Sequence, residues 1–160
     1  MERIPMELGL TRQDDSTSWV SRIVCPSDKN DLAILLYAAF RGTIDDEGET
    51  FVDALAEIDK TFAGGYGDLL LDCSFAIQQG EFLVSACLIG LSDPNDTPLV
   101  VFSMTRPDAQ HQGMARSLLQ QSINALLDRE HKRLTLVVTE GNMPAQHLYA
   151  SLGFHPMEKN

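Results

Sequence analysis

The sequence is poor in positive charge: 12 lysines and arginines stand against 23 acidic residues among 160, a net charge of −11 at pH 7. A nucleic-acid backbone or an anionic membrane needs clustered basic residues, so neither is expected as the main partner. Cysteine is scarce too. Cys25, Cys73 and Cys87 are odd in number, widely spaced and without a C-x-x-C pair, which argues against a disulfide framework or a zinc site and for a reduced protein. His111, His131, His147 and His155 show no ligand spacing, and no metal is expected. No run approaches the roughly 18 consecutive apolar residues of a membrane span. Residues 1–11 alternate charged and apolar side chains without an apolar h-region, so no signal peptide is read and the cytoplasm is the expected location.

What is present is ordinary globular material. Apolar residues make up 44% of the chain and charged residues 22%, and there is no repeat, low-complexity tract or linker. The expectation is a single domain over residues 1–160. Residues 18–25 are rich in β-branched and aromatic side chains and read as a strand ending at Pro26. Ser27 or Asp28 then caps a helix with Leu32, Leu35, Leu36, Ala39 and Phe40 on one face. Phe51, Leu55, Ile58 and Phe62 recur at helical spacing, and Gly64-Gly65 stops that second helix.

Residues 72–77 and 81–91 read as two strands joined by Gln78-Gln79-Gly80, with turn chemistry again at Asp93-Pro94-Asn95. Residues 99–104 and 134–138 are apolar strands suited to a buried sheet. Helices are expected from about Gly113 and over residues 144–152, the latter with Pro144 in its first turn and Gly153 past its end. The order is β-α-α-β-β-β-α-β-α with a short C-terminal strand or tail. That order makes a mixed α/β (α+β) fold, a central sheet with helices on both faces.

The charge is unevenly placed. Residues 1–105 hold six basic and eighteen acidic residues, whereas residues 106–160 hold six and five. The densest run is Asp45, Asp46, Glu47, Glu49, Asp53, Glu57 and Asp59. It is either a solvated face or an acidic wall that attracts a cationic substrate.

Chemistry concentrates in Thr105-Arg-Pro-Asp-Ala-Gln110-His111-Gln112-Gly113-Met114-Ala115-Arg116, between a buried strand and an amphipathic helix. Gly113 and Ala115 leave the backbone uncovered at the first turn, where exposed N–H groups and the helix dipole suit a pyrophosphate. Neither a Walker loop nor a G-x-G-x-x-G fingerprint is present. About thirty residues on, a second strand runs into Asn142-Met-Pro-Ala145-Gln-His-Leu148-Tyr149-Ala-Ser-Leu-Gly153-Phe154.

Together these segments resemble the GNAT superfamily of acyl-CoA-dependent N-acyltransferases. Gln110, Gly113 and Ala115 match its phosphate loop, Q/R-x-x-G-x-G/A. Asn142, Ala145, Leu148, Tyr149, Gly153 and Phe154 match its last helix, N-x-x-A-x-x-L-Y-x-x-x-G-F. The matched part runs over residues 99–154, about a third of the chain. His111 stands where the family often has glycine.

The resemblance implies a GNAT-like sheet and acetyl-CoA as cosubstrate. Pantetheine is expected between the splayed strands against Ser103, Met104 and Thr105, and the pyrophosphate on the backbone of Gln110, His111, Gln112, Gly113, Met114, Ala115 and Arg116. Asn142 and Ala145 would meet the pantetheine arm. Tyr149 would protonate or hydrogen-bond the departing thiolate. The strand before the phosphate loop carries no acid, so the general base is open among Glu140, Asp45, Asp46 and Glu47.

The family usually continues into one further strand, but only six residues follow Phe154. The sheet edge is left short, filled by the N-terminal strand, or completed by a partner chain, the last giving a homodimer. The expected activity is transfer of an acetyl group to the primary amine of a small molecule or peptide, and the acidic run suits a cationic one. The alternative is an acyl-CoA-binding module that catalyses nothing.

Overall fold

The computed structural model describes residues 2–92 and 96–158; the turn expected at Asp93-Pro94-Asn95 lies outside them. Eight strands form one mixed sheet in the order β2-β4-β5-β6-β7-β1-β8, with β3 (Asp68–Leu69) paired to β5 off that path. Strand β5 (Phe82–Ser92) explains how the layers are built. Its near-continuous apolar run is buried on both faces, because side chains alternate across a strand, and an extra residue at Val84 shifts that alternation between Leu83 and Ser85. Leu83, Ala86 and Leu88 join one core cluster with helices α1 (Lys29–Phe40) and α2 (Phe51–Phe62). Val84, Cys87 and Ile89 join the other, with α3 (Met114–Asp128) and α4 (Met143–Leu152).

The N-terminal half departs from the sequence reading at several places. Residues 71–73 form a 3-10 turn, so the strand expected over residues 72–77 begins only at Phe75. The first strand is β1, Arg3–Gly9, where the sequence reading has none. It lies antiparallel along the whole of β7 (Arg133–Thr139), from Arg3 opposite Thr139 to Gly9 opposite Arg133. Met6 and Leu8 enter the core at alternate positions. A two-residue strand β8 (His155–Pro156) then pairs with β1. Of the three ways to finish the sheet beyond β7, the chain uses its own N-terminal strand.

Conversely, the strand expected over residues 18–25 contracts to β2, Arg22–Ile23, paired with β4 (Phe75–Gln79). The residues before it turn instead to α3. Trp19 N–H donates to Ser117 Oγ (2.9 Å), Gln13 N–H donates to Asn124 Oδ1 (2.8 Å), and Asn124 Nδ2 returns a bond to Gln13 O (3.1 Å).

Asp28 ends a short 3-10 turn before α1, but its carboxylate serves the preceding chain rather than the helix. It accepts from Cys25 N–H and pairs with both terminal nitrogens of Arg22, and that guanidinium holds its carboxyl below the usual range. Helix α2 carries a capping box, Thr50 and Asp53 each accepting from the other's backbone N–H.

Strand β6 (Thr97–Thr105) positions the site. Leu88 faces Phe102 on it and Ile89 faces Val100, so Val101 is an extra residue, a β-bulge that bends the strand and increases its twist. On its other side β6 runs parallel to β7, and the pairing comprises Leu99 with Thr135 alone. Beyond that point the two strands separate.

Candidate active site

The separation of β6 from β7 leaves the inner edge of β6 beyond Leu99 without a strand partner, and two cavities reach this gap. One, of about 570 Å³, lies against the start of α3 and is lined by Ser103, Met104, Thr105, Gln110, His111, Gly113 and the first residues of α3. The other, of about 660 Å³, lies under the connection between α1 and α2. Ser103, Asn142, Ala145 and Tyr149 border both, as do Phe40 at the end of α1 and Ile44 and Asp45 of the connection. A molecule entering from each side would meet its counterpart at these residues.

The first turn of α3 fits an anionic group. No side chain caps it, so the N–H groups of Met114, Ala115 and Arg116 lack acceptors within the helix. Gly113, the N-cap residue, has φ +80°, and a Cβ built there would meet nothing within 4 Å. His111 also adopts a left-handed conformation (φ 64°) and is exposed. Gln110 Nε2 reaches back to Thr105 O (3.4 Å), and Arg116 is tied to Ser151 Oγ of α4 (2.6 Å). Of the residues expected to meet the cofactor, Gln112 alone does not line this cavity.

Helix α4 presents Tyr149 to the junction. Asn142 caps its start, the side-chain oxygen accepting from Ala145 N–H at 3.3 Å. At its end Phe154 N–H donates to Tyr149 O and Gly153 N–H to Ala150 O, the Schellman arrangement, with Gly153 at φ +104°. The Phe154 ring then packs edge-on against Tyr149, centroids 5.7 Å apart. Burial pushes the Tyr149 hydroxyl up to about 12, with the Cys87 thiol and the Asp45 carboxylate acting in the same direction and the Ser103 hydroxyl against them. It therefore remains a protonated donor at neutral pH.

The profile of the acetyltransferase (GNAT) family matches residues 20–154. The chain belongs to the GNAT acetyltransferase family. No curated protein matches it. Its fold is similar to that of a GCN5-related N-acetyltransferase from Sphaerobacter thermophilus, with TM-score 0.71 and 18% identity over 97% of this chain and 48% of that one. The chain thus spans about half the length of the Sphaerobacter protein. It is similar also to the ribosomal-protein-S18-alanine N-acetyltransferase from Escherichia coli, with TM-score 0.65 and 24% identity over 87% and 79% of the two chains. A third similar structure is an aminoglycoside N-acetyltransferase in complex with CoA, with TM-score 0.65 and 13% identity over 88% and 90%.

Within this GNAT fold the carboxylates separate by position. Glu140 is exposed and lines neither cavity. Asp45, Asp46 and Glu47 all line the larger cavity, and Asp45 alone among them lines both. Helix α2 adds Glu57, which accepts a bond from the Tyr66 hydroxyl at 2.6 Å. That bond, more than burial, pushes Tyr66 up to about 12. Arg3 lines the same cavity from β1, ahead of the span that the family profile matches. Tyr66 and Arg3 were not among the sequence candidates. The alternation of Ile4, Met6 and Leu8 was the available signal for the strand that carries Arg3.

Trp19, the only tryptophan, also lies outside those candidates. Its indole Nε1–H donates to Gln112 O at 2.9 Å. In a trans peptide the C=O and the following N–H point to opposite sides, so this bond turns Gly113 N–H away from the indole. Trp19→Phe should therefore weaken CoA binding at the start of α3 several-fold. One hydrogen bond contributes about 0.5–1.5 kcal/mol, at most roughly tenfold. Calorimetric titration with CoA provides the check; an unchanged affinity would leave Trp19 with a packing role only.

Proposed function

We propose that the protein is an N-acetyltransferase that moves an acetyl group from acetyl-CoA to the primary amine of a small molecule or peptide by direct attack, without a covalent enzyme intermediate. The observation that carries this reading is the meeting of two cavities at Tyr149, Asn142 and Ser103, in the gap between β6 and β7. On this reading acetyl-CoA enters the smaller cavity, its pyrophosphate on the N–H groups at the start of α3 and its pantetheine amides against the free edge of β6. Asn142 has one amide oxygen engaged by Ala145 N–H and keeps its NH₂ group for the pantetheine arm. Tyr149 donates a hydrogen bond to the sulfur as the C–S bond breaks.

The amine enters the larger cavity. Its wall carries Asp45, Asp46, Glu47, Glu49, Asp53 and Glu57 against Arg3 and Arg41, which favours a cationic acceptor over an anionic one. Attraction of this kind weakens as salt rises. The test is release of free CoA from acetyl-CoA across cationic, neutral and anionic amines, at low and high salt. Release is expected with cationic amines first, and that preference should shrink at high salt. Binding of acetyl-CoA with no release for any amine would turn the reading into the non-catalytic alternative.

A further inference from the structure

We propose that Asp45 is the carboxylate that takes the proton from the attacking amine, and that Thr139 holds it in place. This rests on the transferase reading and supplies the general base that the reading lacks. Among the described residues, Asp45 is the one carboxylate that borders both cavities. It is also the one residue of 41–50 that is not exposed. The Thr139 hydroxyl, at the end of β7, donates to Asp45 Oδ1 at 2.6 Å and ties the connection to the far side of the gap.

The other carboxylates are placed elsewhere or occupied. Asp46 spends both oxygens on the N–H groups of Gly42 and Gly48, each at 2.8 Å, which shapes the connection. Glu49 accepts from Glu47 N–H (2.9 Å), Asp53 from Thr50 N–H (2.8 Å), and Glu57 from Tyr66 (2.6 Å). Glu47 borders the acceptor cavity alone. Glu140 lines neither cavity, and its backbone N–H pairs with Glu2 O at 2.8 Å.

The chemistry balances with these groups. As the amine nitrogen bonds to the thioester carbon, the carbonyl π pair moves to oxygen and the nitrogen becomes strongly acidic. Asp45 takes one proton from it. The oxygen pair then re-forms the carbonyl, the C–S bond breaks with its electrons on sulfur, and Tyr149 donates a hydrogen bond to that sulfur. The proton held by Asp45 passes to water, and the thiolate gains one from water. One neutral amine and one thioester give one amide and one thiol; an ammonium acceptor first sheds its extra proton to water.

The experiment compares the full chain with Asp45→Asn, Asp45→Glu, Thr139→Val and Thr139→Ser, using the amine that gives most CoA release. Acetyl-CoA binding is followed separately by the emission of Trp19. Loss of a general base lowers turnover by roughly 10²–10⁴-fold, and that fall is expected for Asp45→Asn with acetyl-CoA affinity preserved. Asp45→Glu keeps a carboxylate and should retain more turnover than the Asn variant.

Thr139→Val should lower turnover with acetyl-CoA affinity preserved, and Thr139→Ser, which keeps the hydroxyl that donates to Asp45, should recover it. Parental turnover in Asp45→Asn would overturn the proposal and leave the transferase standing. A parent that binds acetyl-CoA and acetylates no amine would overturn both.

Discussion

Tyr149→Phe should lower turnover by about 10²–10³-fold, the range lost with one preorganised donor aimed at developing charge, while acetyl-CoA binds almost as before. The fall corresponds to roughly 3–4 kcal/mol at 1.36 kcal/mol per tenfold change in rate. The substitution is clean in packing. The ring keeps its edge-on contact with Phe154, and the backbone carbonyl of residue 149 still accepts from Phe154 N–H at 3.0 Å. Only the hydroxyl at the cavity junction is lost.

Its chemistry is set by burial. With the hydroxyl raised to about 12, its neutral form predominates at every pH below that value, so it is always available as a donor. The same shift makes it reluctant to give the proton up completely, which favours a hydrogen bond to the departing sulfur over full transfer. Single-turnover measurement at saturating acetyl-CoA isolates the chemical step, and calorimetry gives the affinity. A Phe variant with parental turnover would return Tyr149 to the role of a core residue that closes α4 onto the sheet.

The second half of the chain was legible because its signals are local. Strands β6 and β7, helices α3 and α4 and the glycine turns between them follow from apolar runs, helical periodicity, and Pro144, Gly113 and Gly153 at helix boundaries. The N-terminal residues were harder for a physical reason. The alternation of Ile4, Met6 and Leu8 states that a strand is possible, but its partner is β7, more than a hundred residues away. Nothing local names that pairing. Residues 18–21 show the reverse case, since their strand-like composition serves a segment whose hydrogen bonds go to Ser117, Gln121 and Gln112 of the α3 region.

The site divides in the same way. Tyr149, Asn142 and the start of α3 lie in sequence motifs. Asp45 lay in an acidic run with no internal feature to distinguish it from Asp46 or Glu47; what separates them is Thr139 across the gap. The bulge at Val101 was hidden as well, because residues 99–104 read as a continuous apolar strand whether or not one residue is extra.

Gly113→Val should weaken acetyl-CoA binding by about a hundredfold with little effect on the chemical step once the site is filled. Two costs combine. A β-branched residue at φ +80° is strained, since left-handed backbone costs an L-residue roughly 1–2 kcal/mol. The more specific cost falls on the ligand. A Cβ at residue 113 meets no protein atom within 4 Å, so the valine side chain projects into the open space beside the uncapped N–H groups of α3. An anion would have to stand off from those groups by about the width of a methyl. Hydrogen bonds to a charged group contribute about 1.5–3 kcal/mol each, and losing the equivalent of one or two amounts to roughly 10–10⁴-fold at 1.4 kcal/mol per decade. Calorimetric titration of parent and variant with acetyl-CoA and with dephospho-pantetheine fragments separates the two costs. Strain alone would reduce thermal stability and weaken both ligands alike, whereas an obstructed pyrophosphate site weakens acetyl-CoA and spares the fragment that lacks the pyrophosphate. Equal affinity of the two proteins for acetyl-CoA would place the pyrophosphate somewhere other than the start of α3.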